Sequence, residues 1–202
     1  MGLENGRIIN LMKFEIFPIT GDASFRKFYR VVLSSNSKVV VLANKEKYKN
    51  LIAYTAVNKF LADNKILAPK LYSYNFKQGI ILIEDFGNES LYKKIIKEKN
   101  KFILYKKIID LLLRIQKIKP SSKIKNVAKG KHFINSYSNY YLFKESDLFF
   151  DWYLPLFLNK KKFLKIKKKS KKILLQLYNS LNLPNSYFVH RDFHLQNLMK
   201  VK

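Results

Sequence analysis

The sequence predicts an α+β fold in two lobes, a small antiparallel sheet followed by a helical half. Three observations carry that expectation. Short β-branched and aromatic runs separated by turn residues fill the chain up to Glu84, one segment of helical period interrupts them, and apolar spacing after Ser90 is mainly helical.

Lys13 to Phe17, Phe25 to Leu33 and Lys38 to Ala43 read as strands, the last two joined as a tight hairpin through Ser34-Ser35-Asn36-Ser37. From Tyr48 to Asp63, the residues Leu51, Tyr54, Val57, Phe60 and Leu61 follow a helical period, and Asn64 and Pro69 mark the exit. Lys70 to Tyr74 and Gly79 to Glu84 add two strands, and Asp85 to Asn88 breaks the pattern. The lobes are therefore expected to span residues 1–86 and 87–202. Helices are expected from Ser90 to Lys97, from Phe102 to Ile118 before Pro120, and from Ser136 to Leu158 with an interruption at Pro155. Around Lys160 to Lys172 lysines alternate with Phe163, Leu164 and Ile166, and with Ile173, Leu174, Leu177 and Leu181 beyond, as in an amphipathic helix with a basic wet face. Tyr187 to Val189 reads as a short apolar strand.

Composition narrows the class. With 202 residues, 48% of them hydrophobic, the chain has material for a core, which argues against disorder. Met1 to Asn10 holds no apolar run of secretory length, and no segment approaches the ~18 apolar residues of a membrane span. A cytoplasmic protein is the expectation, and the absence of cysteine fits a reducing compartment. The formal charge of +26 would by itself suggest a nucleic-acid or anionic-membrane partner. Nearly all of it is lysine, however, with arginine only at Arg7, Arg26, Arg30, Arg114 and Arg191, and dispersed lysine makes a solvated surface. No specific nucleic acid is expected. A non-catalytic basic protein that binds nucleic acid or anionic surfaces is the alternative to an enzyme.

His190-Arg191-Asp192-Phe193-His194-Leu195-Gln196-Asn197 places a carboxylate and a carboxamide five positions apart. In a kinase catalytic loop that spacing lets the aspartate take the proton of an attacking hydroxyl while the asparagine oxygen helps hold Mg²⁺ on the phosphates of ATP. Asp192 is the candidate base, Asn197 the candidate metal ligand and His190 a packed anchor. The simpler alternative is a turn in which His190, Asp192 and His194 satisfy one another. The segment resembles the catalytic loop of the aminoglycoside phosphotransferases and related choline kinases, which favour histidine where protein kinases have lysine. The resemblance implies a protein-kinase-like two-lobed fold, ATP as phosphoryl donor, and His194 as a contact to the γ-phosphate or substrate, with a loop hydrogen bond as its other reading.

Upstream, Gly21, Asp22, Ala23 and Ser24 resemble the turn that in those phosphotransferases covers the nucleotide phosphates, a generic β-turn with surface arginines being the other reading. Alternation from Phe25 puts Arg26, Phe28 and Arg30 on one face, where the arginines could meet phosphates or pair with Asp22. The string from Gly21 to Arg30 resembles a branch of the family, the cell-wall-recycling kinases that phosphorylate the anomeric hydroxyl of N-acetylmuramate or N-acetylglucosamine. Phe149-Phe150-Asp151-Trp152-Tyr153-Leu154 resembles that branch's acidic and aromatic patch, which implies a sugar pocket with Asp151 on hydroxyls and Trp152 on a ring face. Core packing is the main expectation for Trp152. Ile83-Glu84-Asp85-Phe86-Gly87 resembles the hinge, implying that backbone groups of Glu84, Asp85 and Phe86 bind the adenine edge and that the acidic side chains cap the next helix. Asp85 is not the metal-binding aspartate of an Asp-Phe-Gly motif, because it precedes Asp192 by more than a hundred positions.

Two departures accompany the resemblance. The strand Val39-Val40-Val41-Leu42-Ala43 lacks the lysine that reaches the phosphates, and the following helix lacks its glutamate partner, leaving Lys38, Lys45, Arg26 or Arg30 as substitutes. The second metal-binding aspartate would follow the catalytic loop, yet the sequence stops at Lys202. This reads as a C-terminally truncated relative with an incomplete helical lobe, which predicts poor ATP turnover and a strand at Leu198 to Val201 that loses its hairpin partner and leaves an apolar edge exposed.

Overall fold

In a computed structural model of the protein, residues 14–19, 26–34, 36–43, 48–181 and 186–201 are described. Strands β1 (Phe14–Ile19), β2 (Arg26–Leu33), β3 (Asn36–Ala43), β4 (Leu71–Asn75) and β5 (Ile80–Glu84) form one antiparallel sheet in the order β1-β2-β3-β5-β4. Helix α1 (Tyr48–Asp63) enters between β3 and β4, as expected from five strands with one inserted helix. The hairpin pairs Leu33 with Asn36 and Arg26 with Ala43, so alternation in β3 sends Val39, Val41 and Ala43 inward with Ile81 and Ile83 of β5. Leu51 of α1 closes this core, with Phe28, Tyr54 and Leu71 at its edge.

The buried stripe of α1 is rotated from the expected one. It runs through Leu51, Thr55 and Asn58, with Ala56 beside it, while Val57, Phe60 and Leu61 are only partly covered. Two polar residues can occupy it because Thr55 Oγ1 donates to the Ile52 carbonyl and Asn58 Nδ2 to the Pro69 carbonyl. The turn before β5 depends on Gly79, whose φ is +69°. A Cβ there would lie 2.2 Å from the Ala43 carbonyl oxygen, and the Ala43 N–H donates to Gly79 O at 2.8 Å.

Two compact units divide the chain: Met1–Ile118 with Lys123–His132 and Val189–Lys202, and Lys119–Ser122 with Phe133–Phe188. This partition is not the lobe boundary expected at residue 86. In the first unit, α2 (Leu91–Lys97) and α3 (Lys101–Gln116) follow the sheet. Ser90, not an acidic residue, caps α2 by accepting the Lys93 N–H at 3.3 Å, which corrects the capping role expected for Glu84 and Asp85. A hairpin of β6 (Lys123–Lys125) and β7 (Lys131–Phe133) has no counterpart in the sequence reading, since three-residue strands show no period. Asn126 Oδ1 holds its turn, accepting from the amides of Ala128 and Gly130.

In the second unit, the expected helix from Ser136 to Leu158 is three pieces: α4 (Asn139–Leu148), a π-helical turn (Phe149–Tyr153) and a 3-10 turn (Leu154–Leu156) that contains Pro155. Helix α5 (Lys160–Ser180) runs antiparallel to them. Asn139 Nδ2 donates to Asn179, Lys171 pairs with Asp147 at 2.6 Å and Lys167 pairs with Asp151. The expected strand from Tyr187 to Val189 is absent, although Phe188 is buried. Among the described residues no helix is long and apolar enough to cross a membrane.

Candidate functional site

Residues 190–199 build the site by alternation. Phe193, Leu195 and Leu198 pack against Ile95 of α2 and Leu104 and Ile108 of α3, while Asp192, His194 and Asn197 face outward. The apolar side chains hold the loop, so the polar ones need no scaffold of their own. Arg191 takes a left-handed φ of +69°, turning the backbone between His190 and Asp192. His190 is half-buried, edge-on to Phe193 with centroids 5.7 Å apart, and its Nδ1 is buried without a hydrogen-bond partner among the described residues. Burial lowers its pKa, and the charge of Asp192 opposes that shift without cancelling it.

Asp192, His194 and Asn197 converge. Asn197 Nδ2 donates to Asp192 Oδ2 at 2.6 Å and lies 3.1 Å from the Asp192 carbonyl. His194 Nε2 lies 3.0 Å from the same amide nitrogen and 3.2 Å from Asp192 Oδ1. Neutral His194 can accept from Asn197, and protonated His194 can donate to Asp192. With its NH₂ turned into the loop, Asn197 keeps Oδ1 free of hydrogen bonds among the described residues, as a metal-ligating amide oxygen requires. The Asp192 side chain is 71% exposed, within reach of an incoming hydroxyl. Among the described residues no three acidic or histidine side chains gather into a metal cage. A cation here would take its other ligands from phosphates and water, which suits Mg²⁺.

The loop's exit is fixed by pairing. Ser90 and Met199 form an antiparallel bridge, Leu91 N–H donates to Leu198 O at 2.7 Å, and Lys200 N–H donates to Glu89 O at 2.9 Å. Residues 198–200 are thus paired along one edge.

Gly21, Asp22, Ala23, Ser24 and Lys45 lie outside the described residues. Arg26, Phe28 and Arg30 do share the α1 face, with Arg26 5.5 Å from the Tyr54 ring centroid. The guanidinium of Arg30 is engaged by Asp85, Asn88 and Gly87. That cluster was not read from the sequence, because its members lie 55 to 58 positions apart. Lys38 stands on the opposite face from Val39 and Val41, 4.4 Å from the Tyr72 ring centroid, so it does not join the arginine face. Among the described residues of β3 and α1, no lysine–glutamate pair replaces the family's. At the hinge, Glu84 N–H donates to Lys70 O and its carboxylate accepts from Lys70 N–H, whereas the Phe86 backbone is unbonded among the described residues. Asp151 and Trp152 belong to the second unit. Asp151 is paired with Lys167, and Trp152 is 76% exposed, which overturns its expected core packing; Phe150 is buried instead. Both residues lie in the π-helical turn, whose winding differs from the regular helix that the core-packing expectation assumed.

A five-stranded antiparallel sheet with one helix on its inner face, followed by helices, is the α+β architecture of a kinase-like fold. The chain belongs to the phosphotransferase enzyme family (APH), whose pattern it matches over residues 15–200. It is similar to an N-acetylmuramate/N-acetylglucosamine kinase of Pseudomonas aeruginosa, 26% identical over 92% of this chain and 51% of the relative. Similar kinases occur in Pseudomonas putida, 26% identical over 90% of this chain and 50% of the relative, and in Neisseria meningitidis, 20% identical over 92% and 53%. The chain spans about half the length of these curated relatives.

Proposed function

We propose that this chain handles ATP and the attacking hydroxyl in an amino-sugar 1-kinase, acting in the cytoplasm on a sugar of the N-acetylmuramate or N-acetylglucosamine type. The observation that carries the reading is the convergence of Asp192, His194 and Asn197 on a loop anchored by Phe193, Leu195 and Leu198. Asp192 accepts the proton of the sugar hydroxyl as the oxygen attacks the γ-phosphorus of ATP, with ADP leaving. His194 steadies the carboxylate and can contact the transferred phosphoryl group. When bound, Mg²⁺ neutralises charge on the phosphates, and Asn197 Oδ1 is the loop's ligand for it. Phe86 and its hinge neighbours are the proposed contacts to the adenine edge, Gly21, Asp22, Ala23, Ser24 and Arg26 the proposed contacts to the phosphates, and Asp151 and Trp152 keep the sugar-binding roles that the resemblance implies. The lobe division at residue 86 belongs to the same proposal, as do the relatives' substrates, whose names motivate the choice of sugar.

The test is calorimetric titration of ATP with and without Mg²⁺, repeated with Asn197→Ala, followed by assays of phosphoryl transfer to N-acetylglucosamine. Metal-dependent binding that Asn197→Ala weakens supports the site. Asp192→Asn should retain nucleotide binding and cut any transfer by about a hundredfold or more. A folded chain that binds no ATP under either condition would overturn the reading.

A further inference from the structure

The geometry points to Arg30 as a positioning residue that sets the catalytic loop against the sheet through Asp85, with no role as a phosphate ligand. Its guanidinium forks the Asp85 carboxylate through Nε and Nη2, the latter 2.8 Å from Oδ1. Nη1 donates to Asn88 Oδ1 at 2.6 Å and Nη2 to Gly87 O at 3.0 Å. Asp85 Oδ1 also accepts the Gly87 N–H at 2.8 Å. The Asp85 side chain is 3% exposed and that of Arg30 17%, so the turn 85–88 is folded around one nearly covered cation. Backbone pairing begins at the very next residue: Glu89 O accepts from Lys200, the Glu89 side chain pairs with Lys200 Nζ at 3.3 Å, and Leu91 donates to Leu198 O. Met199 lies two positions beyond Asn197. A displacement of the turn is therefore passed directly to the exit of the loop. Lysine could not substitute for the fork, since a point charge lacks the planar paired donors.

The kinase reading enters only in what the loop does; the positioning itself is tested without nucleotide. Amide hydrogen exchange of the full chain would be followed at Leu91 and Lys200, with Ile108 in α3 as reference, in wild type, Arg30→Lys, Asp85→Asn and the double variant. Each single change should speed exchange at Leu91 and Lys200 by about tenfold or more, leave Ile108 within about twofold, and add little to the other in combination. Asn88→Ala, which removes one bond and leaves the ion pair, should give a smaller change in the same place and serves if a stronger variant does not fold. Unchanged protection at Leu91 and Lys200, or faster exchange spread equally to Ile108, would overturn the proposal. Titration with ATP and Mg²⁺ adds a second arm. Equal, non-additive losses of affinity in Arg30→Lys and Asp85→Asn support positioning, whereas a loss confined to Arg30→Lys would make Arg30 a phosphate ligand and overturn it. If the wild type binds no ATP, the kinase reading fails while the exchange result still decides the role of Arg30.

Discussion

Asp85 is nearly covered and yet kept charged. Burial pushes its carboxyl up, but hydrogen bonds from Arg30, Ser37 and the Gly87 amide, with the charge of Arg30, outweigh that and hold it below the ordinary range. A depressed folded pKa contributes stability that is complete above the unfolded value, near pH ~4, and is lost as pH falls through the folded one. Asp85→Asn should therefore flatten the acid limb of a stability-versus-pH curve, measured by urea unfolding at several pH values; an unchanged limb would assign acid sensitivity to other groups. His190 shifts in the same direction for a different reason, desolvation of the imidazole, so its neutral form stabilises the fold above about pH 6.5. Gly79 is sensitive on steric grounds. Alanine there combines an unfavourable positive φ with a backbone clash at Ala43 and should cost at least ~1–3 kcal/mol, visible as a lowered Tm. A neutral Gly79→Ala would mean that the turn relaxes freely.

At the scale of elements, the loop from Asp192 to Asn197 and α5 are stabilised in opposite ways. The loop is held by apolar side chains under it, so Leu198→Ala should destabilise it by ~1–3 kcal/mol and weaken ATP binding with Asp192 and Asn197 intact. Binding unaffected by that change would show that residues 89–91 suffice to hold the loop. Helix α5 carries its lysines in dense array, several of them a turn apart, where like charges repel. Its capping residue Asn159 accepts the Lys162 N–H at 3.0 Å, and Asp147 and Asp151 neutralise Lys171 and Lys167. Asn159→Ala should cost ~0.5–2 kcal/mol and reduce helical circular dichroism.

The whole molecule carries a formal charge of +26, and self-repulsion at that level works against compaction. Raising KCl from about 0.05 to about 0.5 M should increase Tm, because the Debye length shortens from roughly 14 to 4 Å. A flat response would mean that local pairing already neutralises the repulsion. The α+β class, the five strands and the bounds of α1 were legible in the sequence, because alternation and helical period mark the elements, whereas the face that α1 buries was not. The Asp192 to Asn197 loop was legible too, since local spacing fixes it. The π-turn at Phe149 to Tyr153 and the hairpin at Lys123 to Phe133 were not, as neither leaves a period. Nor was the partner of Arg30: local sequence offered Asp22 or phosphate, whereas Asp85 comes beside Arg30 only once β2, β3 and β5 are aligned in one sheet. The sequence by itself determined the five strands, α1 and the spacing of Asp192, His194 and Asn197, because those depend on neighbours within a few residues. Tertiary structure alone decided the bonds of Arg30, the pairing of residues 89–91 with 198–200 and the exposure of Trp152, because each depends on the packing of distant segments.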